Sequence, residues 1–368
     1  MEEFISLVPK HKATENIVAL NKSRLAKLRR ELEEKKQKKS TTKSVSPFSI
    51  KKEGLQIILI SDFHAPGVGK TSLLNYLTGA AKNKIGRFTS IPEIGIYEHE
   101  NVRFQIVDMP SLMEDASKGI GNGKEILAQI RSADIICLVV DISRSFKQQL
   151  NLMLKELSLA DIRLNVDSPP ISIEKTGANK IQVFYLTKSA KSNNNIIELT
   201  DKIKKIIQEN GIRNGIVKIY GKITLDNVVD ALTPSVVYKK GIIICTKGDL
   251  PYTKDAFKRL KKEYSNQFPI ILGTSLYKNN FPIDFGDIVL KFLEKIKIFT
   301  QNAGKVANKP LIVDLNATVK DVALRIHKSF YELFDHAIII RKTARQKRKK
   351  VGLEYELKDM DIVELHTI

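Results

Sequence analysis

Twelve residues constrain this chain more than any others: PGVGKTSLLNYL, Pro66 to Leu77, directly after the apolar run LQIILIS. A strand that ends in a small-residue turn and continues as a helix aims backbone N–H groups at one point, and small residues let a phosphate approach them. Pro66, Gly67, Val68, Gly69, Lys70, Thr71 and Ser72 are therefore candidates for holding a nucleotide phosphate. Lys70 is placed to reach β- and γ-phosphates, and the Thr71 hydroxyl to ligate Mg2+. The full pattern G-x-x-x-x-G-K-[ST] calls for glycine at position 64, and the chain has His64. Histidine tolerates glycine's backbone angles less well, so weakened or altered nucleotide affinity is one expectation, with Gly67 as the compensating source of freedom.

Around this loop, apolar strands alternate with helices. LQIILIS, VRFQIVD, DIICLVVD, GIIICTK and PIILGTS read as buried strands, and TSLLNYLTGAA, TKDAFKRLKKEY and FGDIVLKFLEKIKIF as helices. That alternation predicts an α/β fold with a mostly parallel sheet, whose ligands bind at the carboxyl ends of the strands. About a hundred residues separate Asp141 from Gly241, more than one crossover requires, so a small inserted α/β domain is expected at about 160–235. The expected organisation is a basic helical region and linker over 1–50, the main domain over 51–300, and a small α+β unit over 301–368. The last unit resembles a ubiquitin-like β-grasp, with strand PLIVDL, helix TVKDVALRIHKSF and strands HAIII and DIVELH.

Two further motifs stand in the order and spacing the loop demands. Asp108, in VDMP at the end of VRFQIVD, can hold Mg2+ while the turn after it senses a γ-phosphate. TKGD, Thr246 to Asp249, follows GIIIC as a variant of the guanine-reading [NT]KxD. The Asp249 carboxylate can accept two hydrogen bonds that guanine offers and adenine does not, while Lys247 lies along the base. Thr89 and Ser90, in RFTSIP, are candidate catalytic and metal-binding switch residues together with Lys70. Gly119, Gly121 and Gly123 suggest a flexible second switch or an ordinary glycine loop, and Ser275 could close the base pocket through its backbone.

Composition adds the partners. The formal net charge is +20 with 28% charged residues, which favours a polyanion, although a basic proteome or a solubility effect gives the same excess. The charge concentrates at the two ends. Over 10–40, Val18, Leu25, Leu28 and Leu32 form one apolar helical face on an otherwise lysine- and arginine-rich segment. RKTARQKRKK, Arg341 to Lys350, carries seven basic residues in ten and no acid. Ribosome or other RNA binding through phosphates is the expectation, with Arg341, Lys342, Lys347 and Arg348 as the residues to neutralise. There is no tryptophan and no aromatic RNA-binding signature, so base stacking is not indicated. Cys137 and Cys245 lie inside apolar runs and read as buried thiols. No run approaches the roughly 20 apolar residues of a membrane span, and the N-terminus lacks a signal peptide's pattern, so a cytoplasmic location is expected.

With these residues placed, the chain resembles the developmentally regulated GTP-binding protein family, relatives of the Obg GTPases. The likeness runs through HKATENIVALNKSRLAKLRREL, APGVGKTSLL, DMPSLMEDASKGIGNGKEILAQIRSADIICLVVD, LNLMLKELSLADIRLN, TKGD and the terminal VGLEYELKDMDIVELH. It implies a GTPase core with an inserted small α/β domain, a C-terminal TGS module, action with ribosomes or RNA, and a separate stabilising partner protein. The departures are His64 and Ser111 where the family has glycine, Thr246 where it has asparagine, and Ser90 as the second switch threonine. Gly67 stands where Obg relatives carry a residue suited to a monovalent cation, so K+ stimulation is not carried over. Leu112 follows the DMPS turn, and no side chain is evident that would orient water. The resulting expectation is a guanine-nucleotide switch, binding GTP or GDP with Mg2+ and hydrolysing GTP slowly. The alternatives are a degenerate GTPase serving as an RNA-binding scaffold, and an ATPase, against which TKGD argues.

Overall fold

The computed structural model describes residues 46–79, 90–177, 180–191, 195–278, 280–302, 304–341 and 348–368. The chain divides into two compact units, Met1–Ser49 and Ile50–Ile368. The basic helix expected over 10–40, the switch residue Thr89, and Lys342 and Lys347 lie outside the described residues.

In chain order the main domain runs β1 (Leu55–Ile60), α1 (Lys70–Thr78), β2 (Glu93–His99), β3 (Val102–Asp108), α2 (Gly123–Ser132), β4 (Ile135–Asp141), α3 (Phe146–Leu159) and β5 (Ile162–Leu164). A second group follows: β6 (Ile171–Lys175), β7 (Ile181–Tyr185), α4 (Ile196–Glu209), β8 (Gly215–Ile219) and α5 (Leu225–Leu232). The chain then returns to the main domain as β9 (Val237–Thr246), α6 (Thr253–Tyr264), β10 (Ile271–Gly273) and α7 (Phe285–Phe292). The third group is β11 (Lys295–Asn302), β12 (Lys305–Val306), β13 (Leu311–Asp314), α8 (Val319–Ile326), α9 (Lys328–Glu332), β14 (Phe334–Ile340), β15 (Arg348–Val351) and β16 (Ile362–Thr367).

The main sheet has the order β10-β9-β4-β1-β3-β2, with β5 also on β9. All its pairs are parallel except β2 with β3. β4 is buried along its whole length and β1 nearly so, which is why both read as continuous apolar runs: helices cover each face. Each such Ile, Leu or Val contributes about 1.5–3 kcal/mol of burial. The register sets Leu59 beside Asp108 and Asp141 beside Thr246, so the loops that leave β1, β3, β4 and β9 emerge together at one edge.

Each group has its own core. In the inserted group, Ile203, Ile207 and Val228 of α4 and α5 cover one face of the sheet β6-β8-β7. In the third group, Val319 and Val322 of α8 pack on Ile298, Ile339 and Val363 of the sheet β12-β11-β16-β14-β15, with β13 also on β11. The mixed pairing, β11 parallel to β16 and antiparallel to β13, is that of a β-grasp module. The expected fold class, an α/β phosphate-loop domain with an inserted α/β piece and a C-terminal β-grasp, is the observed one. Both cysteines are buried in strands as expected.

Three local readings are corrected. FGDIVLKFLEKIKIF is helical only to Phe292; Glu294 turns the chain through a positive φ of 53°, and Lys295 begins β11. TVKDVALRIHKSF breaks at His327, whose extended backbone (φ −168°) ends α8 and whose ring caps α9 through Ser329 N–H. Finally, Arg341 does not belong to a free basic surface. Its guanidinium donates from Nε and Nη2 to both oxygens of the fully buried Asp361, at 2.6 and 2.5 Å, so its charge is committed inside the β-grasp.

Candidate functional site

The loop between β1 and α1 takes its shape from two glycines in the left-handed region, Gly67 (φ 70°) and Gly69 (φ 99°). His64 is not among the residues with positive φ, so the backbone there makes no demand for glycine. Its N–H instead closes a turn onto Asp62 Oδ1 at 2.8 Å. Histidine adopts this backbone without strain. Gly69 precedes α1 with no side-chain cap and no acid in the first turn, which leaves the first N–H groups of the helix open to an anion. Pro66, Gly67 and Val68 form the turn itself, and Ser72 stands in that first turn.

Lys70 and Thr71 open α1 against the ends of β1 and β3. The Lys70 ammonium donates to Ser61 Oγ at 2.6 Å and Ser111 Oγ at 3.1 Å, and those two hydroxyls are 3.0 Å apart. Two of its three donors are engaged, and one is left for a ligand. Burial lowers the Lys70 pKa, and the Asp108 charge opposes that. Thr71 Oγ1 donates to Asp108 Oδ2 at 2.6 Å. Burial, with the Glu93 charge adding to it, pushes the Asp108 carboxyl up to about 6 against the pull of Lys70 and Thr71. Asp108 Oδ1 is buried without a hydrogen-bond partner among the described residues. A hydroxyl beside a carboxylate with a free oxygen is a hard-oxygen donor set suited to Mg2+, and Thr71 and Asp108 would hold the ion. Ser90, exposed ahead of β2, makes no hydrogen bond to another described residue.

TKGD closes the other side. Thr246 Oγ1 lies 2.5 Å from Val68 O and 3.1 Å from Val140 O, so its hydrogen is shared between the phosphate loop and β4. The Lys247 ammonium donates to Asp141 Oδ2 at 2.6 Å, and Ser143 donates to the other oxygen through its N–H and hydroxyl. Burial works to raise the Asp141 pKa, but these bonds hold it below the usual carboxylate range. Gly248 N–H reaches Thr274 O at 3.0 Å, which ties the motif to the loop holding Ser275. Asp249 is exposed, and Ser275 Oγ is buried without a partner among the described residues. Beside them is a cavity of about 140 Å3 lined in part by Gly248, Thr253, Thr274 and Ser275.

The segment expected as a flexible second switch or an ordinary glycine loop is tied at its start to α3. Glu156, buried on α3, accepts from Asp115 N–H (3.0 Å), Ser117 N–H (2.9 Å) and Ser117 Oγ (2.8 Å). Gly123 allows α2 to start against the turn before it, because a Cβ there would lie 2.0 Å from Ala116 O. Leu112 is fully buried and presents nothing to an attacking water.

The structure thus brings Lys70, Thr71 and Asp108 into one cluster and Thr246 and Lys247 onto the loop beside it. Ser61, Glu93, Asp141 and Glu156 also take part and are not evident as site residues in the sequence. Asp141, at the polar end of an apolar run, carried a signal that could have found it; the other three depend on which strands and helices become neighbours.

Residues 65–176 match a family model described as a 50S ribosome-binding GTPase, residues 183–278 the C-terminal region of that domain, and residues 296–367 the TGS domain. Among curated proteins, an uncharacterized GTP-binding protein of Methanocaldococcus jannaschii is 33% identical over 99% of this chain and 90% of its own length. The developmentally-regulated GTP-binding protein 2 homolog of Dictyostelium discoideum is 27% identical over 99% of this chain and 97% of its own. Among solved structures, the YchF GTPase of Schizosaccharomyces pombe covers 86% of this chain and 98% of its own at 14% identity, with a TM-score of 0.43, a likeness too low to inform function.

Proposed function

This chain belongs to the family of developmentally regulated GTP-binding proteins, and from that premise we propose that it is a slow, Mg2+-dependent GTPase switch acting on ribosomes or other RNA. The observation that carries the reading is the cluster of Lys70, Thr71 and Asp108 at the opening of α1, with Gly67 and Gly69 shaping the turn before it. Lys70 and the open N–H groups of α1 would neutralise β- and γ-phosphate charge. Thr71 and Asp108 would hold Mg2+, which supplies charge neutralisation when bound; a switch hydroxyl from Thr89 or Ser90 would complete its shell. Asp249 would read guanine, while Thr246 and Lys247 brace the loops on either side of it. Turnover is slow because Leu112 is buried and offers no group to orient water. Ser275 would close the base site.

The partner follows from charge. A net +20 and the basic segments 10–40 and 341–350, with Arg341 now excepted, suit an RNA phosphate backbone, and the family model matched by the main domain is described as ribosome-binding. A second protein that stabilises the chain belongs to the same proposal.

Calorimetric titration of GDP, GTP and ATP into nucleotide-stripped protein with Mg2+ tests the core of it, followed by phosphate release in Na+ and in K+. Micromolar, guanine-selective binding with slow turnover is expected, and Asp249→Asn should exchange guanosine for xanthosine nucleotides. Absence of binding by any nucleotide would replace this reading with that of an RNA-binding scaffold.

A further inference from the structure

At the open end of the β2–β3 hairpin two carboxylates face one another. Glu93 and Asp108 are direct register partners in an antiparallel pair. Residues so paired project onto the same face with Cβ atoms about 4.5–5.5 Å apart, and like charges there repel. Among the described residues, each carboxylate also holds a buried oxygen with no hydrogen-bond partner, Oε2 of Glu93 and Oδ1 of Asp108. Asp108 has no exposed surface at all. The nearby ammonium of Lys70 is turned to the hydroxyls of Ser61 and Ser111, and Thr71 satisfies only Oδ2 of Asp108. Buried acceptors of one sign, without donors, are the arrangement a cation completes.

We propose that Glu93 is a further ligand of the divalent cation, giving the site a second carboxylate beside Asp108 and Thr71. The inference rests on reading this cluster as the Mg2+ site of a nucleotide-binding loop. Its donors are all oxygen, which suits Mg2+ and its probe Mn2+. It has a consequence that a single-carboxylate site lacks: the cation binds measurably before nucleotide does, because two charges already face it. In the absence of metal the pair repels, so removing one charge relieves the fold while weakening the ion's hold. A merely structural glutamate would move both quantities in the same direction.

The test uses the full chain with Mn2+ as the probe. Free Mn2+ is followed by its electron paramagnetic resonance signal in titrations of wild type and Glu93→Gln, without nucleotide and with saturating GDP. Thermal unfolding is recorded with and without MgCl2. Glu93→Gln should weaken Mn2+ binding at least tenfold in both states and melt no lower than wild type without metal, so the metal-induced rise in Tm shrinks. Glu93→Asp, which keeps the charge on a shorter arm, should recover part of the affinity. Mn2+ affinity of Glu93→Gln within twofold of wild type would overturn the proposal, as would wild-type protein that takes up no Mn2+ in either state. GDP binding in EDTA is measured separately. Its absence counts against the nucleotide reading alone, since the nucleotide-free Mn2+ titration still decides the role of Glu93.

Discussion

The β2–β3 hairpin carries an acidic cluster at each end, and the two are finished differently. At the turn, Glu100 and Asp287 both receive the Lys297 ammonium, at 2.6 and 3.1 Å, and Asp287 also pairs with His99 Nε2 at 2.9 Å. One carboxylate comes from the hairpin, one from α7, and the cation from β11 of the β-grasp module, so the joint fastens three elements. At the other end, Glu93 and Asp108 each keep an oxygen without a partner among the described residues, and the neighbouring Lys70 bonds to hydroxyls instead. The first cluster is complete within the chain; the second keeps acceptors open among the described residues, as the proposed cation site requires. Groups of similar chemistry thus serve structure where an internal cation meets them and binding where none does.

Substitutions at the two ends should therefore separate affinity from stability. The largest effect is expected at Lys70→Met, which should lower GDP and GTP affinity at least about 100-fold, read by calorimetry, by removing a charged donor to phosphate. Its unfolding free energy should change by about 1 kcal/mol or less, because the desolvation of a buried ammonium offsets its two hydroxyl contacts. Lys297→Met should do the reverse. It leaves the partly exposed Glu100 and Asp287 without their cation and should cost about 1 kcal/mol in urea unfolding, with nucleotide affinity unchanged. A parallel loss of affinity would break the comparison, since it would mean that the hairpin transmits between its ends.

The smallest effect is an acid sensitivity of the closed joint. The hydrogen bond from His99 holds the Asp287 carboxyl below its ordinary 3.8; burial opposes that, and Lys297 adds to it. A carboxylate whose folded pKa is depressed contributes stability that is present above its unfolded pKa and lost as pH falls through the folded value. Asp287→Asn should therefore lose less stability than wild type as the pH falls below about 4, a difference measurable in unfolding midpoints across that range.

Much of the site was legible because it is local. The phosphate loop, Asp108 at a strand end and TKGD at another are short segments whose roles follow from a strand passing into a turn. Leu55–Ile60 and Ile135–Asp141 declare themselves as buried parallel strands by lacking alternation. β2 is not evident from the sequence, because EIGIYEH places a glycine and four titratable residues in seven positions, and only pairing with β3 keeps it extended. The apolar residues of Lys295–Phe299 fit the end of a helix as well as a strand. Their pairing with β13 and β16 decides for strand. Arg341 looked like one more charge in a basic run, and its partner Asp361 lies twenty residues further on.

The sequence alone determined the fold class, the phosphate loop, the order of the motifs after it and the basic character of the chain, since each depends on residues close together or on a sum over all of them. Tertiary structure decided which charges are available. Whether a lysine, arginine or carboxylate is free for a ligand depends on what strand register and helix packing place within about 3 Å of it, the reach of a hydrogen bond. Lys297, itself buried, and Arg341 are committed to carboxylates of the chain, while Glu93 and Asp108 keep open oxygens among the described residues. No spacing along the chain separates these cases, because every one of those contacts joins different strands or loops.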